Sequence, residues 1–235
     1  GQVFAYRFSG GDYRLQIQAD NILPEVSVSQ VLLYHLGETE LAIEAELELD
    51  VREAPVRELQ LRVPQGYAVA RLQASNLSDY FLTPGDEQQG AQLRLVYGGP
   101  VSGRQVIQLR LERNNPLGAA SWPLPSIEVV KAKSTRGHVA VSADAGFRLT
   151  SETTKGLTEI ATALFPRKVA NLQAAFRLSD PAWQAVLKVE RLAQSIQADV
   201  FHLFSIGEGM AYGSSVLNYS IAGAPLAVFK IELSD

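Results

Sequence analysis

Residues 171–235 align with residues 1–65 at a constant offset of 170 and without a gap, and this recurrence constrains the fold more than any other feature of the chain. Ala5-Tyr6-Arg7-Phe8-Ser9 falls on Ala175-Phe176-Arg177-Leu178-Ser179, Leu36-Gly37-Glu38 on Ile206-Gly207-Glu208, and Ala54-Pro55-Val56 on Ala224-Pro225-Leu226. Nine positions are identical. Composition alone would give about four, and many other positions exchange one apolar residue for another, as stacked repeat units do. The chain reads as one whole repeat of 170 residues plus the start of a second, with its last residue expected to fall inside that second unit.

Within the repeat, the dominant pattern has period two. Leu41, Ile43, Ala45, Leu47, Leu49 and Val51 alternate with Glu44, Glu46, Glu48 and Asp50, which places apolar side chains on one sheet face and carboxylates on the other. Val26 to Leu36 reads as a second long strand joined to the first by a short Gly37-Glu38-Thr39 hairpin link. Ala54-Pro55 is expected to break the ladder, since proline has no amide hydrogen to donate. Leu59, Leu61 and Val63 continue on one face before a turn at Pro64-Gln65-Gly66. Further strands are expected at 67–74, 91–97 and 104–112.

The second half carries competing signals. Asp180-Pro181-Ala182-Trp183 resembles a capped helix start, and Leu192, Ile196 and Val200 recur every fourth residue, which favours a helix over 182–204. The stretch pairs with Tyr13 to Tyr34 at the 170 offset, where Pro24 and Val26-Ser27-Val28-Ser29 favour extended chain. Two copies of one pattern should share one fold, so strands are expected at 183–190 and 196–206. Residues 157–165 allow one short helix. About sixteen short strands with frequent turn signals point to an all-β fold of antiparallel β-sandwich domains in tandem. The Asn114-Asn115-Pro116-Leu117-Gly118 and Trp122-Pro123-Leu124-Pro125 runs place the expected boundary near 116–125, giving a first sandwich at 1–115 and a second at 116–235 whose C-terminal half repeats 1–65.

Composition narrows function mainly by exclusion. A formal charge of −4 offers no general field for phosphate backbones, so no nucleic-acid partner is expected. No apolar run approaches the ~20 residues a spanning helix needs, so no membrane insertion is expected within this segment. With no cysteine, disulfides, thiolate zinc sites and thiol catalysis are absent. No cofactor or metal is expected.

Candidate chemistry is sparse. The carboxylate row Glu44, Glu46, Glu48, Asp50 has the charge for calcium or for an acid/base pair, but Ser214, Val216, Asn218 and Ser220 replace it in the internal copy, which marks it as a solvated strand face. Asp199, His202 and Glu208 have metal-ligand chemistry, yet a strand would turn Asp199 and His202 to opposite faces. Asp199, Glu208 and Glu38 would serve an enzyme using carboxylates as its reacting groups. Lys131, Lys133, Arg136 and His138 form the one local basic run, read as a solvated strand and turn. No Gly-x-Ser-x-Gly occurs, and no serine stands in a recognisable arrangement with histidine and carboxylate, so no catalytic residue is assigned. Aromatic residues are the remaining ligand signal: Tyr80 and Phe81 in a long polar loop, Trp122 in a proline-rich linker and Tyr212 beside a hairpin turn are candidates for stacking on sugars or anchoring a partner. Tyr6, Tyr13 and Tyr34, matched at the offset by Phe176, Trp183 and Phe204, are expected in the core.

The phrases Ala54-Pro55-Val56-Arg57-Glu58-Leu59-Gln60-Leu61-Arg62-Val63-Pro64-Gln65-Gly66 and Gly99-Pro100-Val101-Ser102-Gly103, leading into Leu109-Arg110-Leu111-Glu112-Arg113, resemble those of large, uncharacterised bacterial envelope or secreted proteins built from tandem β-sandwich units. That resemblance implies the tandem β-sandwich architecture and leaves activity open; the recurrence, the β patterning and the failure of every catalytic motif point to a non-enzymatic structural or interaction segment of such a protein, extracytoplasmic, with a protein or glycan partner. The alternative is a carbohydrate-binding or accessory module of a secreted enzyme.

Overall fold

The computed structural model describes residues 5–7, 9–12, 14–16, 22–85, 90–114, 120–226 and 228–231. Among these, the single helical element is a 3-10 turn at Thr162–Leu164, within the stretch that allows a short helix. Fourteen strands make up the rest of the regular structure: β1 (Glu25–Leu36), β2 (Leu41–Val63), β3 (Ala68–Ala74), β4 (Leu77–Thr83), β5 (Ala91–Arg113), β6 (Ser121–Pro123), β7 (Glu128–Val129), β8 (Ser134–Ala143), β9 (Phe147–Lys155), β10 (Leu157–Ile160), β11 (Leu172–Leu178), β12 (Gln184–Arg191), β13 (Ser195–Gly207) and β14 (Met210–Ala222). The fold is all-β. β12 and β13 occupy the region whose local spacing favours a helix; β13 takes the conformation of its counterpart β1, whereas residues 14–16, which match the start of β12, lie in no strand.

A nine-stranded sheet runs in the order β10-β11-β8-β1-β2-β5-β3, with β4 on β5 and β7 on β2. A three-stranded sheet, β6-β12-β9, covers it, and β13 and β14 form a third sheet alone. The alternating residues of β1 and β2 supply the inner face: Leu32, Tyr34, Ile43 and Leu47 are fully buried. Trp122, Trp183 and Leu187 of the covering layer belong to the same apolar cluster. Tyr34 meets Trp122 and Trp183 edge-on, each with ring centroids 6.3 Å apart, the arrangement that aromatic quadrupoles favour. On the opposite face, Leu33 of β1, Ala140 of β8 and Ala175 of β11 are covered by Phe165. The strands at this end of the sheet are therefore buried on both sides.

Four expectations need correction. Pro55 does not end its strand. β2 continues to Val63 and takes up the proline in register shifts between Val51 and Glu58, with Glu53 at a positive φ of 65°, because a bulge leaves the missing amide hydrogen outside the ladder. The segment containing Tyr80 and Phe81 is strand β4, paired with β5; it lies along one side of the sheet and lacks the strong apolar alternation that identifies inner strands. Pairing is not purely antiparallel: β8 runs parallel to β1, from Ser27↔Ser134 to Leu36↔Ala143. Finally, residues 116–125 do not separate two sandwiches, since β1 to β5 precede them and β8, β10 and β11 follow in the same sheet. Here the chain passes from one layer to the other, and β6 pairs with β12.

The two long hairpins share one register at the offset of 170. β1 and β2 pair from Glu25↔Arg52 to Leu36↔Leu41, and β13 and β14 pair from Ser195↔Ala222 to Gly207↔Met210. Adding 170 to the first pair, Glu25↔Arg52, gives Ser195↔Ala222, and every later pair follows. The preceding segments differ: residues 172–178 and 184–191 are strands, whereas the described residues among 5–24 lie in no strand and are exposed. Of the six aromatic residues expected in the core, Tyr34, Phe176 and Trp183 are buried, while Tyr6 and Phe204 are 76% and 72% exposed. Tyr13 lies outside the described residues. The offset aligns the two hairpins, but burial requires a covering layer, and among the described residues β13 and β14 have none.

Candidate functional site

Parallel pairing brings the acidic row and the basic run onto one sheet face, on either side of β1. Ser29 is flanked by Glu48 and Arg136, and Val31 by Glu46 and His138. Within the row, Glu44 and Glu48 are engaged by β5 and Asp50 by its own strand. Glu48 accepts from Arg104 at 2.8 Å, and Asp50 from Arg52 at 2.6 Å. Glu25 pairs with Lys133. Glu44 takes Arg110 at 3.0 Å and Arg167 at 2.8 Å on separate oxygens. Burial opposes its ionisation, but the hydrogen bond and charge of Arg167, followed by those of Arg110, outweigh this and hold the carboxyl below its ordinary range. Beside Arg177, His138 has its imidazole pushed down, first by burial and then by that charge. Among the described residues no group of three or more His, Asp or Glu is placed to hold a metal ion. The ion pairs of this face join β2 to β5 and to the segment at residue 167, and β1 to the segment at residue 133, and their chemistry is cohesion.

A second cluster has no signal in the sequence. His35 lies opposite Ser142 in the β1–β8 register. Its Nδ1 is 3.0 Å from Ser142 Oγ, and its Nε2 is 3.3 Å from Asp144 Oδ1. The other Asp144 oxygen accepts the Glu38 amide at 3.3 Å. Serine, histidine and aspartate are therefore contiguous, as nucleophilic catalysis requires. Access fails, however. Ser142 is 2% exposed, and its hydroxyl also reaches the Tyr34 carbonyl oxygen at 3.4 Å. The cluster ties the end of β8 to the 37–40 turn, with the Ser142 hydroxyl covered. It escapes sequence inspection because His35 and Ser142 are 107 positions apart and meet only through parallel pairing.

The four aromatic candidates form no common platform. Tyr80 and Phe81 are successive residues of one strand and point to opposite faces. The Arg94 guanidinium lies 4.9 Å over the Phe81 ring centroid, a favourable cation–π contact. Trp122 is 3% exposed and packs in the core, so the expected linker ring is structural. Tyr212 is exposed on β14, in a different sheet, with its hydroxyl 3.6 Å from Met210 Sδ. Asp199 faces Asn218, and His202 faces Ser215 at 2.7 Å. Asp199 and His202 point to opposite faces, as strand geometry requires.

The most distinctive surface is the β13–β14 hairpin itself. Val200, Phe201, Leu203, Phe204 and Ile206 are all exposed, Ile206 to 86%. They occupy both faces of β13, a pattern suited to a strand covered on each side. Phe204 lies across Gly213, its cross-strand partner, where a Cβ would come within 3.1 Å of the ring. Sequence reasoning assigned this stretch to strand but gave no sign of its exposure.

No family model matches the chain, and no curated protein matches it. Among solved structures, an M1 zinc metallopeptidase from Deinococcus radiodurans is 12% identical with a TM-score of 0.43, covering 86% of this chain and 48% of that one. The native leukotriene A4 hydrolase of Saccharomyces cerevisiae is 10% identical with a TM-score of 0.46, covering 74% and 31%. The chain thus spans about half or less of these proteins' lengths. Similarity this low supports neither a shared fold nor a shared activity.

Proposed function

We propose that this chain is a non-enzymatic, structural and interaction segment of a larger bacterial cell-envelope or secreted protein, built on a β-sandwich repeat. One observation carries the reading: the same hairpin occurs twice in the same register, once buried at the centre of a sheet and once with its apolar side chains open to contact. Proteins rarely leave so large an apolar surface free unless it meets something. The ion pairs and the covered Ser142 add support, because they place charged and nucleophilic groups in the service of the fold. The extracytoplasmic location rests on the resemblance of residues 54–66 and 99–113 to envelope proteins.

The test is reactivity of the full chain toward a fluorophosphonate probe and a panel of ester and peptide substrates. The expected result is an unlabelled Ser142 and no turnover. Labelling of Ser142 that disappears in His35→Ala would overturn the reading.

A further inference from the structure

β1 and β2 show what a hairpin of this register is built to receive. Along the outer edge of β2 runs β5, antiparallel from Leu41↔Arg113 to Val51↔Gly103. Along the outer edge of β1 runs β8, parallel over ten residue pairs. With those strands and their layers in place, Val28, Leu32, Tyr34 and Leu36 are at most 2% exposed. Their counterparts at the 170 offset are Ala198, His202, Phe204 and Ile206, all exposed. The correspondence extends to the other face. Val31 and Leu33 pack in the second apolar cluster, and Phe201 and Leu203 at the matching positions are 65% and 60% exposed. Among the described residues neither outer edge of the β13–β14 sheet is paired with another strand. A two-stranded hairpin is at best marginally stable alone, and its free edges are templates for further strands.

We infer that β13–β14 is the opening hairpin of a second unit, and that it docks a β5-type strand antiparallel along β14 and a β8-type strand parallel along β13, both supplied by polypeptide that continues the repeat in phase. The inference rests on the repeat reading proposed above and names what occupies its open hairpin. The occupant is chosen by register and by pattern: β13 is apolar on both faces at six of the seven apolar positions of β1, with His202 in place of Leu32 and Val200 in place of Gln30, and apolar side chains on both faces suit a strand buried in a sandwich. A second copy of this chain is a poorer fit, because its own β5 and β8 are already paired with its own β2 and β1.

The test lengthens the full chain by a second copy of residues 66–191 placed directly after Asp235, where the 170-residue phase continues. Amide hydrogen exchange is followed in peptides covering 196–221, and sedimentation reports the state of association. In the lengthened monomer, exchange in this stretch is expected to slow by about a hundredfold or more relative to the original chain, and binding of a hydrophobic dye is expected to fall. A parallel chain, lengthened in the same way but with 195–222 replaced by the sequence of 25–52, supplies a hairpin whose complement is its natural one. Protection in that chain but not in the first overturns the inference, as does protection in neither. Protection already present in the original chain as a dimer also overturns it, since the occupant is then a second copy. Loss of the inference by any of these routes leaves the non-enzymatic reading standing, and only labelling or turnover removes that.

Discussion

The Tyr34 hydroxyl donates a hydrogen bond to the carbonyl oxygen of Pro125, 91 positions away, and so binds the centre of the large sheet to the segment that crosses between layers. Tyr34 is fully buried, with Trp122 and Trp183 against its ring. Tyr34→Ala removes the ring from a packed layer and is expected to cost about 3–5 kcal/mol. Tyr34→Phe keeps the ring but strands the Pro125 oxygen, at about 1–2 kcal/mol. Urea unfolding of the two variants separates packing from hydrogen bonding.

Tyr97 makes the opposite case. Its hydroxyl is buried with no hydrogen-bond partner among the described residues, so Tyr97→Phe removes a polar group that gains nothing from the fold. This variant is expected to be unchanged or more stable by up to about 1 kcal/mol in the same unfolding assay.

Alkaline pH should unfold the protein through its tyrosines. Burial pushes the Tyr34 phenol far above its ordinary range, with the neighbouring Tyr67 adding to the effect. Burial likewise raises Tyr67 and Tyr97. A raised folded-state value means that the native protein keeps protons the unfolded chain releases, so this contribution is intact below about pH 10 and is lost as pH climbs beyond it. Urea midpoints measured across that range should fall with pH, and fall less steeply in Tyr34→Phe.

Glu44 works at the acidic end. Its lowered value gives stability that is present above the ordinary carboxylate range and disappears as pH falls through the folded-state value. The group is about one-third exposed, so solvent discounts the pair, and Glu44→Gln is expected to cost about 0.5–1 kcal/mol at neutral pH. Arg167→Ala should cost a similar amount. It should also speed hydrogen exchange around Phe165, because the arginine holds that segment over Leu33 and Ala140.

Gly137 permits the parallel pairing. A Cβ there would lie 1.9 Å from the Gln30 carbonyl oxygen on β1, so Gly137→Ala forces the two backbones apart. About 3 kcal/mol or more of destabilisation is expected, with exchange rising first in the peptides covering β1 and β8.

The alternation in β1 and β2 was legible because each residue's face follows from its parity, and the offset copy was strong enough to override the helical spacing around Leu192 to Val200. Trp122 reads as a linker residue because prolines on either side mimic a linker, although the ring fills the core. Tyr80 and Phe81 were misplaced because β4 is exposed on both faces and leaves no periodic trace. The Ser142, His35 and Asp144 cluster was invisible for a further reason: nothing local encodes which distant strand lies parallel to β1. Repetition likewise identified Phe204 as an equivalent of Tyr34 but carried no information about what covers it.

The parallel neighbour of β1 also has a temporal consequence. His35 waits 107 residues for Ser142, so on the ribosome β1 emerges long before the strand that closes its outer edge. Through that interval the nascent sheet can grow only on its β2 side, while the other side stays open to any passing strand. Synthesis rate and chaperone cover during the making of residues 37–133 should therefore govern yield more than the stability of the finished fold.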